Sequence, residues 1–190
     1  MTHPDRKTGR LIAVVGPSGA GKDSVMAGLI AARPGLSAVR RTITRASEAG
    51  GEAGGEDHDP LNHVAFAARK AAGDFALTWA AHGLFYGIPR AALAPLDDGH
   101  DLLANLSRNV LRDAALIVCR MTVLHITASP ATLSRRLATR GRESEADIAA
   151  RLFRQTDPLP PGLDTVKVAN DGTLAQTVVS ALAALYPERA

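Results

Sequence analysis

The stretch Gly16-Pro17-Ser18-Gly19-Ala20-Gly21-Lys22-Asp23-Ser24 carries the most specific chemistry in the chain. Gly16 to Lys22 has the spacing G-x-x-x-x-G-K. In that pattern backbone N–H groups wrap phosphate oxygens and the lysine reaches the β and γ oxygens of a nucleotide. Glycine is needed because a loop without Cβ atoms approaches a phosphate closely. One position departs from the pattern. Asp23 follows the lysine where a serine or threonine usually ligates Mg²⁺, and Ser24 comes next. A carboxylate is a hard oxygen donor, so Asp23 and Ser24 are both candidates to hold Mg²⁺.

A second group is Arg40-Arg41-Thr42-Ile43-Thr44-Arg45. Three arginines and two threonines make either a solvated strand edge or an anion site. Beside a phosphate loop the anion site is the expectation, since the guanidinium fork matches phosphate oxygens. Ser107-Arg108 follow an apolar run, at the strand end where parallel α/β sheets place ligands. The Gly- and Glu-rich stretch 46–59 contains Glu56, His58 and Asp59. Its composition predicts a mobile solvated loop rather than a metal site.

Composition narrows the class. The chain has 190 residues and a net charge of +3, which fits one domain with a sizeable core. All of its 22 basic residues except Lys7, Lys22, Lys70 and Lys167 are arginine, scattered without a basic run. With aromatics at 4%, that argues against nucleic acid as a partner and for arginines converging on small anions. The single cysteine, Cys119, excludes an intramolecular disulfide, and its apolar neighbours predict a small core residue. The first ten residues are polar, and no run is long and apolar enough to cross a membrane, so a cytoplasmic enzyme is expected.

These residues need a scaffold. Leu11–Val15 is fully apolar and reads as a central parallel strand. Ser24–Ala32 is amphipathic, with Val25, Met26, Leu29 and Ile30 on one face, and Arg33-Pro34-Gly35 stops it. Leu36–Arg40 opens a second strand. Asn62 caps a helix through Ala72, closed by Gly73. Phe75–Ala81 alternates, turns at His82-Gly83 and returns through Leu84–Gly87 as a hairpin, which puts Phe75, Leu77 and Trp79 on one face. Pro89 leads a helix over Arg90–Leu96. Strands follow at Asp101–Leu106, Met121–Thr127 and Thr165–Ala169. Helices are expected around Arg112, from Ser129-Pro130 to Arg140, from Ser144 to about Gln155, and from a cap at Asp171 to about Ala184. The order predicts an α/β domain: a parallel sheet with helices on both faces and ligands at the strand C-termini.

Several motifs share one order and spacing. They are Gly16–Lys22, Thr44-Arg45, His82-Gly-Leu-Phe-Tyr-Gly87, Arg140-Gly-Arg-Glu-Ser-Glu145 with Arg151-Leu152, and Asn170-Asp171. Together they resemble the guanylate kinase-like branch of the P-loop NTPases over nearly the whole chain. The departures matter as much. Thr78, in Phe75-Ala-Leu-Thr-Trp79, stands where guanylate kinases carry a guanine-reading glutamate. The strand ending Ala104-Asn105-Leu106-Ser107 lacks their acidic residues, and Ala46-Ser47-Glu48 follows Arg45 where an arginine and a tyrosine are expected. Losing buried hydrogen-bonding partners should cost a base-reading site heavily. Gly16–Ser24, Arg41–Arg45 and Phe75–Trp79 with His82–Pro89 are instead similar to the ribose 1,5-bisphosphate phosphokinases of that branch. Guanylate kinase and the non-catalytic guanylate kinase-like binding modules are the alternatives.

That resemblance implies one domain over 1–190, with an acceptor-binding region at about 40–90 and a lid at about 140–152. It implies ATP and Mg²⁺ as cofactors and a sugar phosphate as acceptor. The loop residues Gly16 to Ser24 would bind ATP, with Lys22, Arg140 and Arg151 catalytic and Asn170 near the adenine. Arg41, Arg45 and Tyr86 would bind acceptor phosphates, with Arg108 a further candidate.

Overall fold

The computed structural model describes residues 8–45, 57–139 and 158–187. Strand β1 (Leu11–Val15) is buried along its whole length. It lies at the centre of a five-stranded parallel sheet with β2 (Leu36–Ala38), β7 (Asp101–Asn105), β8 (Met121–Thr127) and β9 (Thr165–Ala169), in the order β2-β7-β1-β8-β9. A strand covered on both faces must be apolar at every position, which is why no alternation is visible in its sequence. Ile12 and Val14 face a core closed by α1 (Lys22–Ala32) and by α5 (Leu174–Leu185). Leu11, Ala13 and Val15 face the other way.

That second face shares a core with a smaller sheet. Its strands are β3 (Arg41–Ile43), β4 (His58–Pro60), β5 (Phe75–Ala81) and β6 (Leu84–Pro89), in the order β4-β3-β6-β5. Leu77, Trp79 and Ile88 enter that core with Leu96 and with Leu111 and Ala114 of α3 (Leu111–Ile117). The expected hairpin forms, with Ala81 opposite Leu84 across a two-residue turn. His82 and Gly83 both have positive φ, 52° and 73°. That is the backbone hand that matches the twist of paired strands. Leu77 and Trp79 share one buried face, but Phe75 does not join them: the register shifts between Phe75 and Leu77, and Phe75 stacks on Phe66 of α2 (His63–Ala71) at 4.8 Å.

Further expectations change. The helix after the phosphate loop begins at Lys22 rather than Ser24. The second strand is two strands in two sheets. After β2, Val39 N–H still bonds the Leu103 carbonyl, and β3 then starts the smaller sheet. His58 and Asp59 belong to β4, paired in parallel with β3, and His58 is buried rather than in a solvated loop. Arg40 lies between Asp57 and Asp59 at 3.1 and 3.0 Å, fixing this edge at the surface. The last helix is capped by Thr173, not Asp171. The Thr173 hydroxyl accepts from the Gln176 backbone N–H and the Gln176 side-chain Oε1 accepts from Thr173 N–H, a reciprocal box. Asp171 instead accepts the Ser129 N–H at 2.8 Å, at the entry to α4 (Pro130–Thr139). Finally, Cys119 is exposed, because α3 ends before the chain reaches β8 and the connection lies on the surface.

Arg90–Leu96 is a 3-10 helix, with Pro95 inside it. Residue 140 and the helix expected from Ser144 lie outside the described residues. Among the described residues no helix is long and apolar enough to cross a membrane.

Candidate active site

The phosphate loop spans from the end of β1 to the first turn of α1. Ala20 N–H bonds the Pro17 carbonyl at 3.2 Å, and Val25 N–H bonds the Gly21 carbonyl at 3.0 Å. Lys22 opens α1, and its ammonium donates to the carbonyls of Gly16 and Pro17 at 3.0 and 3.2 Å. The loop amides, the positive end of the helix dipole and the lysine therefore converge on one spot, which favours phosphate.

Asn170 holds the loop from below. It is buried; its amide Nδ2 donates to the Ala20 carbonyl at 2.8 Å, and its Oδ1 accepts from the Thr177 hydroxyl at 2.8 Å. Its backbone N–H bonds the Thr127 carbonyl, so the side chain is aimed from the end of β9. Gly21 sits directly above, at φ 83°, where a Cβ would lie 2.6 Å from Asn170 Nδ2. Glycine is required there for both reasons. Asn170→Ala is expected to lower stability by about 1–3 kcal/mol, since it strands buried polar groups. A thermal melt should then show a drop of several degrees together with weaker nucleotide binding.

Two clefts flank the loop. The first, of about 490 Å³, is lined by Lys22, Arg41, His82, Tyr86, Asn105 and Arg108 beside the loop backbone. Arg41 is buried and donates to the Asn105 carbonyl at 2.9 Å. Its guanidinium carbon lies 5.1 Å from the Tyr86 ring centre. Tyr86 in turn stacks on Trp79 at 5.2 Å and 9°. The stacked aromatic pair thus gives Arg41 a fixed platform. Asn105 ends β7, and its amide donates to Asp23 Oδ1 at 3.3 Å. Arg108 Nη2 is 3.4 Å from His125 Nε2. No described residue lining this cleft is a carboxylate, while Lys22, Arg41 and Arg108 are cations. The cleft suits a ligand with several negative charges.

The second cleft, of about 460 Å³, lies on the other side of the loop. Gly19, Gly21, Ser24, Arg135, Arg136 and Asn170 line it with Leu174. Arg136 reaches the Gly19 carbonyl at 3.5 Å, the limit of a hydrogen bond.

Most residues singled out from the sequence meet here. Gly16, Pro17, Ser18 and Lys22 line the first cleft with Arg41, Tyr86 and Arg108. Gly19, Gly21, Ser24 and Asn170 line the second, and Ala20 is buried beneath the loop. Asp23 faces Asn105, whereas Ser24 opens to the second cleft. Arg45 is exposed at the end of β3 and does not line the first cleft, although Arg41, four residues earlier, does. Arg140, Arg151 and the 140–152 lid lie outside the described residues. Sequence reasoning passed over His82, Asn105, Arg135, Arg136 and His125. Asn105 carried a usable signal, a polar residue at the C-terminal end of an apolar strand. The arginine pair on α4 reads as an ordinary solvated face.

A Mg²⁺ ion accompanying nucleotide phosphates fits this donor set. Among the described residues no cluster of three His, Cys, Asp or Glu forms a closed metal cage. One carboxylate, Asp23, stands at the loop with one oxygen oriented by Asn105. Mg²⁺ is commonly held in that way, by one or two carboxylates, phosphate oxygens and waters.

No family model matches the chain. Ribose 1,5-bisphosphate phosphokinase from a Ruegeria species is 48% identical over 183 residues, covering 96% of this chain and 94% of that one. The protein of that name from Agrobacterium fabrum is 42% identical over 167 residues, covering 86% and 89%. The chain also spans 28% of the bifunctional ribose 1,5-bisphosphokinase–thymidine phosphorylase of Cupriavidus necator, at 41% identity. Among solved structures, guanylate kinase from Anaplasma phagocytophilum superimposes with a TM-score of 0.65 at 19% identity, over 91% of this chain and 82% of that one, which establishes the guanylate kinase-like P-loop fold. With relatives 48% and 42% identical over most of both chains, the chain belongs to the ribose 1,5-bisphosphate phosphokinase family.

Proposed function

We propose that this chain transfers the γ-phosphoryl group of ATP to the 1-phosphate of ribose 1,5-bisphosphate, giving 5-phosphoribosyl 1-diphosphate and ADP. The observation that carries the reading is the first cleft. Lys22, Arg41, Arg108 and Tyr86 gather beside the phosphate loop with no lining carboxylate. A sugar carrying two phosphates and no base matches that chemistry. Guanine recognition has no such support, because Thr78 cannot supply a carboxylate to the base edge and does not line the cleft.

The chemistry asks little of a general base. The attacking 1-phosphate oxygen is already ionised near neutral pH, so positioning and charge neutralisation do the work. The acceptor oxygen bonds to the γ-phosphorus as the bond from that phosphorus to the β,γ-bridging oxygen breaks. The electron pair leaves on ADP, and no proton has to move. Lys22 turns from the Gly16 and Pro17 carbonyls to the β and γ oxygens, while the loop amides hold the chain of phosphates. Arg41 and Arg108 hold the acceptor phosphates and the Tyr86 hydroxyl donates to one of them, with Arg45 a peripheral contact. Asp23 would hold Mg²⁺ with waters, Ser24 being the other oxygen donor, and the ion would neutralise charge on the β and γ oxygens. Asn170 fixes the loop under the nucleotide, and the second cleft takes the rest of ATP between the loop, Arg135 and Arg136. By the family resemblance, Arg140 and Arg151 would neutralise charge on the transferring group.

The test is ADP release with Mg²⁺ and ATP against ribose 1,5-bisphosphate, ribose 5-phosphate, GMP and no acceptor. Turnover is expected with the bisphosphate alone. Efficient turnover with GMP would show that other groups recognise the base and would overturn the reading.

A further inference from the structure

His125 lies on β8 level with Val15, at the root of the phosphate loop. Its Nε2 is 3.4 Å from Arg108 Nη2. A guanidinium has only donors, so the nitrogen that faces it must accept. That hydrogen bond requires a neutral ring with its proton on Nδ1. Three neighbouring segments set its electrostatics. β1 offers the apolar Val15, β9 offers Lys167 directly across the ladder, and the 3-10 helix Arg108–Val110 offers Arg108. Burial first, then Arg108 and then Lys167, hold the imidazole pKa below its ordinary value of 6.5.

We propose that His125 is a positioning residue for phosphoryl transfer, whose neutral Nε2 accepts from the Arg108 guanidinium and aims it at an acceptor phosphate. The proposal rests on reading the first cleft as the acceptor site. It makes acceptor binding sensitive to acid. Protonation of His125 removes the ring acceptor that faces Arg108 and puts a new cation beside Arg108 and Lys167. Because the folded-state pKa is depressed, this happens only below pH 6.5. The sign for stability is the same. The unfolded chain takes up the proton first, so the contribution of this group is intact above pH 6.5 and is lost as pH falls toward the folded-state pKa.

The experiment measures kcat and both KM values from about pH 5.5 to about pH 8, the range in which histidine titrates. It compares the unmodified protein with His125→Ala, His125→Gln and Arg108→Ala. His125→Ala is expected to raise the acceptor KM about tenfold, the worth of one hydrogen bond to a charged group, and to leave the KM for ATP unchanged. His125→Gln, whose amide oxygen can accept without titrating, restores most of that affinity. It also loses the part of the acid-side rise in KM that His125 causes. The substrate's own phosphates titrate near pH 6 in both proteins, so the difference isolates the histidine. Nitrogen-15 NMR of the ring should show the Nδ1–H tautomer, a reading independent of turnover.

An unchanged acid limb in His125→Gln, or a ring protonated at Nε2, overturns the proposal. An Arg108→Ala protein with a raised acceptor KM beside a His125→Ala protein with a normal one overturns the positioning role alone. An unchanged acceptor KM in Arg108→Ala overturns the acceptor role of Arg108 itself.

Discussion

Lys22→Ala is expected to cut phosphoryl transfer by about a thousandfold or more while the fold survives. Preorganised cationic groups on a transferring phosphoryl carry effects of that size. Lys22 is the first residue of α1 and its ammonium already lies over the loop. Its partners are the carbonyls of Gly16 and Pro17, which line an open cleft where water can replace the ammonium. The helix keeps its apolar anchor through Val25, Met26 and Leu29. Circular dichroism and a thermal melt should therefore match the unmodified protein within a few degrees while ADP release disappears. Near-normal turnover would sink the phosphate-loop assignment.

Arg41→Ala is expected to separate acceptor binding from nucleotide binding. The arginine is buried, bonded to the Asn105 carbonyl and packed beside Tyr86. A hydrogen bond to a charged group is worth about 1.5–3 kcal/mol, so the acceptor KM should rise ten- to hundredfold. The KM for ATP should stay within a factor of about two, since the second cleft does not include Arg41. Arg41→Lys should recover little, because an ammonium cannot reproduce the flat fork beside the stacked rings. Steady-state kinetics with each substrate varied in turn reads this directly. Equal rises in both KM values would mean that Arg41 serves the fold of the cleft rather than the acceptor.

What the sequence disclosed followed from local rules. β1 was readable because a strand buried on both faces has only apolar residues. The hairpin turn was readable because Gly83 tolerates its positive φ. The loop was readable because its geometry needs glycine at fixed spacing. What stayed hidden depended on tertiary pairing. β4 was read as loop because His58-Asp59-Pro60 has no strand propensity, and only pairing with β3 and the Arg40 ion pairs makes it extended. The Thr173 cap lost to Asp171 because the box depends on Gln176 reaching back, while Asp171 is occupied by Ser129 from another helix. Cys119 followed its apolar neighbours in the reading, but exposure is set by where α3 ends.

In the site itself, residues in motifs were legible and residues that support them were not. Asn105 and His125 act through Asp23, Arg41 and Arg108, and such contacts join positions 17 to 82 residues apart. Spacing along the chain cannot announce them.

The central claim is the identity of the bond formed. Phosphorus-31 NMR of the reaction of ATP, Mg²⁺ and ribose 1,5-bisphosphate with the intact chain tests it most directly. The account predicts that the signal of the 1-phosphate is replaced by a coupled pair from a new diphosphate on C1. The 5-phosphate signal should persist, and ADP should appear in equal amount. A diphosphate formed at the 5-position, or ADP with only inorganic phosphate beside it, would contradict the account.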